Sequence, residues 1–256
     1  MQSSTSDRAT RFRIVDFGES RQDLHSRTEV KFTTHDADLG KLRAALATLC
    51  QARAHGRDVS RRPVSWVRSL YFDSPEMSAC LANLQGLGQR QKLRLRWYDQ
   101  LLPAEDFYME IKWRKNRVTG KHRFKMQSDT PLSQMRLKEI HRQLVEVTPR
   151  EHVREVCRFS EPIVVVQYCR EHFQSPDREM RLTMDYDLRF YDQVAKSRLA
   201  LRFPMKMDGF CVIEGKTPIG REAELKAMLS SLSLRADRCS KYVHGCRLLG
   251  HIRVGE

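Results

Sequence analysis

The segment Gln89-Arg-Gln-Lys-Leu-Arg-Leu-Arg-Trp-Tyr98 carries a cation at every even position from Arg90 to Arg96, with Leu93, Leu95 and Trp97 between and after them. A strand sends alternate side chains to opposite faces, so this spacing sets a row of cations above an apolar face. Like charges held that closely repel one another, and a shared polyanion relieves the repulsion. The chemistry indicated is phosphate recognition. The guanidinium forks of Arg94, Arg96, Arg123 and Arg170 match phosphate oxygens in two-point contacts, and the ammonium groups of Lys31, Lys112 and Lys121 supply point charges.

The alternation recurs along the chain. Arg27, Glu29 and Lys31 alternate with Thr28, Val30 and Phe32, and Glu110, Lys112 and Arg114 with Met109, Ile111 and Trp113. Lys121, Arg123 and Lys125 alternate with His122, Phe124 and Met126. Tyr168 and Arg170 share a face, as do Arg181, Thr183 and Asp185, and as do Glu214 and Lys216. One such row is an ordinary solvated sheet face. Repeated, it predicts an α+β chain built on a closed antiparallel β-barrel tunnel of about eight strands, with a charged bore and peripheral helices.

The carboxylates in these rows need a reason, because they would repel a polyphosphate. Mn²⁺ or Mg²⁺ on Glu214, with Glu29 or Glu110 assisting, is one reading; simple neutralisation of a neighbouring Lys is the other. No G-x-x-x-x-G-K-[ST] loop and no nucleophile–base pair is present, and phosphoryl transfer by positioning and charge stabilisation needs neither.

The elements that must position these rows are legible from periodicity. Strands are expected at 27–33, 64–73, 89–98, 106–115, 120–127, 162–173, 179–191, 197–203 and 209–216, with Gly120 giving backbone freedom to the hairpin that precedes it. Helices follow Asp36 or Asp38 through Leu49, run on either side of Thr148-Pro149, and span Ile219 to Leu232 and Ser240 to Leu249. Residues 1–25 read as an arm with a short helix, 53–62 as a polar connection, 26–250 as one tunnel domain and 251–256 as a tail.

The net charge of +14 favours anionic partners. Nucleic acid fits less well than phosphates, because the cations lie at strand spacing and no helix-turn-helix or zinc module is present. Seven cysteines without C-x-x-C spacing argue against a disulfide framework or zinc site and for a reducing, cytoplasmic setting. Met1 to Arg27 has no apolar core of a signal peptide, and Ile163-Val164-Val165-Val166 is far too short to span a bilayer.

In chain order, Arg27-Thr-Glu-Val-Lys-Phe32, Val67-Arg-Ser-Leu-Tyr-Phe-Asp73, Lys92-Leu-Arg-Leu-Arg-Trp-Tyr98, Glu110-Ile-Lys112, Lys121-His-Arg123, Tyr168-Cys-Arg170, Arg181-Leu-Thr-Met-Asp185, Glu214-Gly-Lys216 and Ser240-Lys-Tyr242 resemble the VTC domain, the polyphosphate polymerase branch of the CYTH or triphosphate-tunnel superfamily. The resemblance covers roughly residues 26–250. It implies transfer of the γ-phosphoryl of ATP onto inorganic polyphosphate with Mn²⁺ or Mg²⁺. By motif, it implies phosphate ligation by Lys31, Arg94, Arg96, Lys112, Lys121, Arg123, Tyr168, Arg170, Ser240 and Lys241, with Arg238 as a further cation. Of these, Arg94, Arg96 and Lys241 would act on the transferred group, and Glu214 would hold the metal. Arg27 stands where the superfamily's E-x-E-x-K signature has its first Glu, which favours the polymerase branch over a cyclase or triphosphatase. Relatives in eukaryotes work beside a phosphate-sensing domain and membrane helices, so coupling of synthesis to transport here would need a membrane or regulatory partner. The competing readings are an inorganic or nucleoside triphosphatase with the same tunnel, and a non-catalytic polyphosphate- or nucleic-acid-binding module.

Overall fold

The computed structural model describes residues 11–17, 27–35, 38–53, 64–102, 106–116, 118–230, 232 and 234–252. Most of the expected arm, most of the 53–62 connection, the last four residues of the tail and the side chain of Arg27 lie outside them.

Twelve strands form one antiparallel sheet among the described residues. They are β1 (Phe12–Asp16), β2 (Arg27–Thr34), β3 (Gln51–Ala52), β4 (Val64–Asp73), β5 (Gln89–Tyr98), β6 (Asp106–Lys115), β7 (Val118–Ser128), β8 (Glu161–Gln174), β9 (Arg181–Asp192), β10 (Met205–Met207), β11 (Cys211–Pro218) and β12 (Arg235–Ala236). The pairing order is β1-β7-β6-β5-β4-β8-β9-β11-β2-β12, with β10 added to β9 and β3 to β8. The helices are α1 (Leu39–Leu49), α2 (Ser78–Leu84), α3 (Leu137–Val147), α4 (Val153–Arg158), α5 (Glu222–Ser230) and α6 (Lys241–Leu248).

This order corrects the expected closed barrel of about eight strands. The free side of β7 takes β1 and the free side of β2 takes the two-residue β12, so the two ends of the sheet pair with added segments rather than with each other. Closure would have required β7 and β2 to share a ladder. The sheet is nevertheless strongly curled: Lys112 of β6 lies within electrostatic reach of Glu29 on β2 and Glu214 on β11, from the far side of the sheet.

Alternation sorts the faces. Leu93, Leu95 and Trp97 of β5, with Met109 and Ile111 of β6, face outward into a core capped by Leu137, Ile140 and Leu144 of α3 and Val156 of α4. Phe32, Leu182, Met184 and Ile213 form a second outer core against Leu46 of α1 and Leu225 and Leu229 of α5. The third core lies on the concave face. There Tyr71, Val164, Val166, Tyr168, Phe190 and Val212 receive Tyr242, Val243 and Cys246 of α6. Gly245 lets α6 sit flush, because a Cβ there would lie 2.7 Å from the Phe190 ring.

Local differences from expectation have local causes. Phe12–Asp16, expected in an arm with a short helix, is a strand on β7 whose Phe12 is buried. The expected strand at 197–203 does not form, because the Gln193 side-chain amide bonds both the N–H and the carbonyl of Ala200; the strand that joins β9 is β10 instead. The helix expected from Ile219 starts at Glu222, after Gly220 at φ 94°. Among the described residues of the β6–β7 hairpin Asn116 is the left-handed one, and Gly120 serves another purpose: a Cβ there would lie 2.1 Å from the Trp113 ring.

Candidate active site

The concave face divides into an apolar half under α6 and a charged half. The charged half is assembled from the even positions of β5 and β6, the odd positions Lys121 and Arg123 of β7, the Tyr168–Arg170 pair of β8, and the inward residues of β2, β9 and β11.

Glu110 organises the first cluster. Its side chain is fully buried and takes Arg94 at 2.5 Å, Lys121 at 3.0 Å, Arg123 at 3.4 Å and Arg96 at 3.8 Å. Burial alone would raise the carboxyl, but the surrounding cations hold it well below the usual range. Tyrosine hydroxyls fix the arginines from the other side: Arg94 donates to Tyr71 (2.8 Å), Arg96 to Tyr168 (3.3 Å) and Arg123 to Tyr98 (3.2 Å). Arg96 also donates to Ser69, and Arg123 stacks 3.7 Å above the Tyr108 ring. Guanidiniums braced on several sides lose little freedom when an anion arrives.

A second cluster joins β8, β9 and α6. Arg170 forms a two-point pair with Asp185 at 2.6 and 2.7 Å, and Lys241 reaches the same carboxylate at 2.7 Å. Burial opposes both charges, but the pairing lowers Asp185 and raises Lys241. Both cations also approach the Tyr168 ring. Ser240 caps α6 by accepting from the Val243 N–H, and its hydroxyl accepts from Lys92 at 2.8 Å. Tyr242 completes the motif: it stacks on Tyr71 and donates to Asp73, whose carboxylate caps α2 through Ala79 and Cys80. The sequence Ser240-Lys-Tyr242 thus ties the helix to both β4 and β9.

The third cluster is a pair of carboxylates. Glu214 lies 3.2 Å from Lys216 and 4.0 Å from Lys31, while Glu29 lies 3.1 Å from Lys31 and 3.9 Å from Lys216. Burial and the neighbouring Glu29 work against ionisation of Glu214, yet Lys216, Lys31, Arg170 and Lys112 keep it well below the usual range. No group of three or more His, Cys, Asp or Glu suited to a metal occurs among the described residues. Two carboxylates suffice for a hard cation that takes its other ligands from phosphate oxygens and water, so Glu214 and Glu29 fit Mn²⁺ or Mg²⁺. Glu110 is positioned differently, enclosed by four cations.

Positive charge exceeds negative in this space. Burial and nearby cations push the Lys92 ammonium down to about 7 and Lys121 to about 8, and hold Lys112 well below its ordinary value. Such groups are short of counter-charge.

Of the residues named from sequence, Lys31, Arg94, Arg96, Lys112, Lys121, Arg123, Tyr168, Arg170 and Lys241 converge here, with Ser240 at the edge. Arg238 stands apart: it is exposed, beside Gly86 and near Arg90. The motif-based list lacked Lys92, Asp185, Tyr71 and Tyr98. Lys92 and Asp185 share strand parity with Arg94 and Arg181 and could have been found that way. Tyr71 follows Val67 and Ser69 on the inward face of β4, so no row of charges marked it.

The fold and site define an α+β protein whose curled antiparallel sheet gathers arginines, lysines and tyrosines on one concave face, with a carboxylate pair on its far wall. The chain belongs to the VTC domain family, whose model matches residues 26–250. That membership supports an enzyme acting on phosphate substrates. No curated protein matches. Among solved structures, a putative adenylyl cyclase from Hippeastrum, described as having a dominant triphosphatase activity, is similar at 14% identity and a TM-score of 0.47, over 86% of this chain and 96% of that one.

Proposed function

We propose that this protein is a metal-dependent phosphotransferase that moves the γ-phosphoryl of ATP onto inorganic polyphosphate. The observation that carries the reading is the surplus of inward cations: Lys92, Lys112 and Lys121 are each depressed by burial beside braced Arg94 and Arg96. A polyanion of several phosphates supplies the missing charge.

In the reaction, a terminal oxygen of polyphosphate attacks the γ-phosphorus, the bond from that phosphorus to the bridging β–γ oxygen breaks, and ADP leaves with the electron pair. Arg94 and Arg96, two apart on β5, grip adjacent phosphates and stabilise the charge spread over the transferred group. Lys241, oriented by Asp185, and Arg170 hold the neighbouring phosphates in line. Glu110 keeps the arginine forks aimed and takes no part in the bond changes. A divalent cation on Glu214 and Glu29 would neutralise phosphate charge as it builds.

The second reading is a triphosphatase with water as acceptor. It is favoured by α6, which occupies one end of the concave face and leaves less room for a polymer. Incubation of the purified chain with ATP and Mn²⁺, followed by separate assays of long-chain polyphosphate and free phosphate, distinguishes them. Polymer with matching ADP supports the phosphotransferase. Free phosphate without polymer refutes it in favour of hydrolysis, and neither product points to a binding module.

A further inference from the structure

The inward row of β9 continues beyond the reaction centre. Arg181 lies on the Asp185 face, about 13 Å along the strand from it. It pairs with Lys216 of β11 and with Gln174 of β8, and Gln174 pairs in turn with Gln51 of β3. Residues directly opposed in an antiparallel pair point to one side. Gln51, Gln174, Arg181 and Lys216 therefore extend the face that carries Arg170 and Glu214, toward the end away from α6. Arg53 shares the parity of Gln51, and its N–H donates to the His172 carbonyl, which holds the segment to β8.

A cavity of about 420 Å³ opens at this rim, lined by Gln51, Ala52, Arg53, Gln174, Arg178 and Arg181. Arg178 comes from the β8–β9 turn, where it adopts a left-handed conformation at φ 62° and its carbonyl accepts from the Gln174 amide. Among the described residues, three guanidiniums line the cavity and no carboxylate does. Of the two acids in the same turn, Asp177 is engaged by Arg221, by the Ser175 hydroxyl and by the Glu179 N–H, and Glu179 is exposed and outside the cavity lining. Arginines with glutamine amides between them form a donor-rich surface suited to phosphate oxygens.

We propose that this rim cavity is a second anion subsite that binds the phosphates of a chain extending past the reaction centre, and so distinguishes polyphosphate from tripolyphosphate. The proposal rests on the phosphotransferase reading and adds to it the residues that select for a polymer. A tripolyphosphate gripped by Arg94, Arg96 and Arg170 ends short of the rim; a longer chain reaches Arg181, Arg53 and Arg178.

The test is titration calorimetry of the full chain with long-chain polyphosphate and, separately, with tripolyphosphate, for the parent, Arg53→Ala, Arg178→Ala and the double variant. Arg53 and Arg178 are exposed, so melting temperatures should match the parent. Each substitution should weaken long-chain binding by about tenfold, the loss of one charge-assisted contact, with tripolyphosphate affinity unchanged. Unchanged long-chain binding, or equal weakening of both ligands, overturns the subsite while leaving the phosphotransferase reading in place. A parent that binds neither ligand refutes that reading, and the subsite with it.

Discussion

Replacing Glu110 with Gln removes the carboxylate that binds Arg94, Arg96, Lys121 and Arg123 together. The shape of the side chain is kept, so the loss is electrostatic. Breaking a buried ion pair by neutralising one partner costs about 3–5 kcal/mol. The lower end applies here, because Lys121 and Arg123 keep 22% and 32% of their side-chain exposure and can turn to solvent, whereas Arg94 keeps only 7%. A loss of about 3 kcal/mol in a chain of this size lowers the melting temperature by about 6–12 °C. The sign of the pH dependence follows from the depressed carboxyl. Its contribution is present above the ordinary carboxylate range and is lost as pH falls toward the folded-state value, so the parent should approach the variant in acid. Tripolyphosphate supplies the missing negative charge, and should therefore raise the variant's melting temperature by more than the parent's. Thermal melts of both proteins, with and without tripolyphosphate and without metal, read all of these effects. A variant that melts with the parent, and gains no more from the ligand, refutes the view that Glu110 balances the arginine cluster.

Glu214→Gln should abolish metal-dependent turnover while polyphosphate binding survives or tightens, since a repulsive charge is lost; normal turnover with Mn²⁺ would place the metal elsewhere. Polyphosphate binding should take up protons, because a polyanion raises the ammonium groups that burial lowers to about 7 at Lys92 and about 8 at Lys121. Affinity should accordingly fall as pH rises through that range, with Lys92→Met flattening the profile. Calorimetry in buffers of different ionisation enthalpy measures the uptake, and none at about pH 8 would contradict the environments assigned to these lysines. Gly245→Ala should lower stability by about 1–3 kcal/mol by overpacking, since the added Cβ meets the buried Phe190 ring. A thermal melt matching the parent would mean that α6 is seated more loosely on the concave face.

Period-two alternation by itself determined which face of β5, β6 and β7 is charged, because a strand offers each residue only two directions. Leu93 and Arg94 could not share a side, and the apolar partners had to be covered by helices. The motifs from Arg27 to Tyr242 likewise determined the family, and with it most of the residues that meet in the concavity. Tertiary structure decided what alternation cannot express. Whether a curled sheet closes depends on which strands pair at its edges, and β1 and β12 took those places through contacts distant in sequence. Glu29, Glu110 and Glu214 look equivalent in their rows, yet their environments differ: Glu110 is enclosed by four cations from the two strands that flank its own, while Glu214 and Glu29 share Lys31 and Lys216. The seat of α6 inside the sheet depends on a shape match between Gly245 and Phe190. The lowered lysines follow from the same cause, since burial and the distance between charges exist only once the strands have been brought around one space.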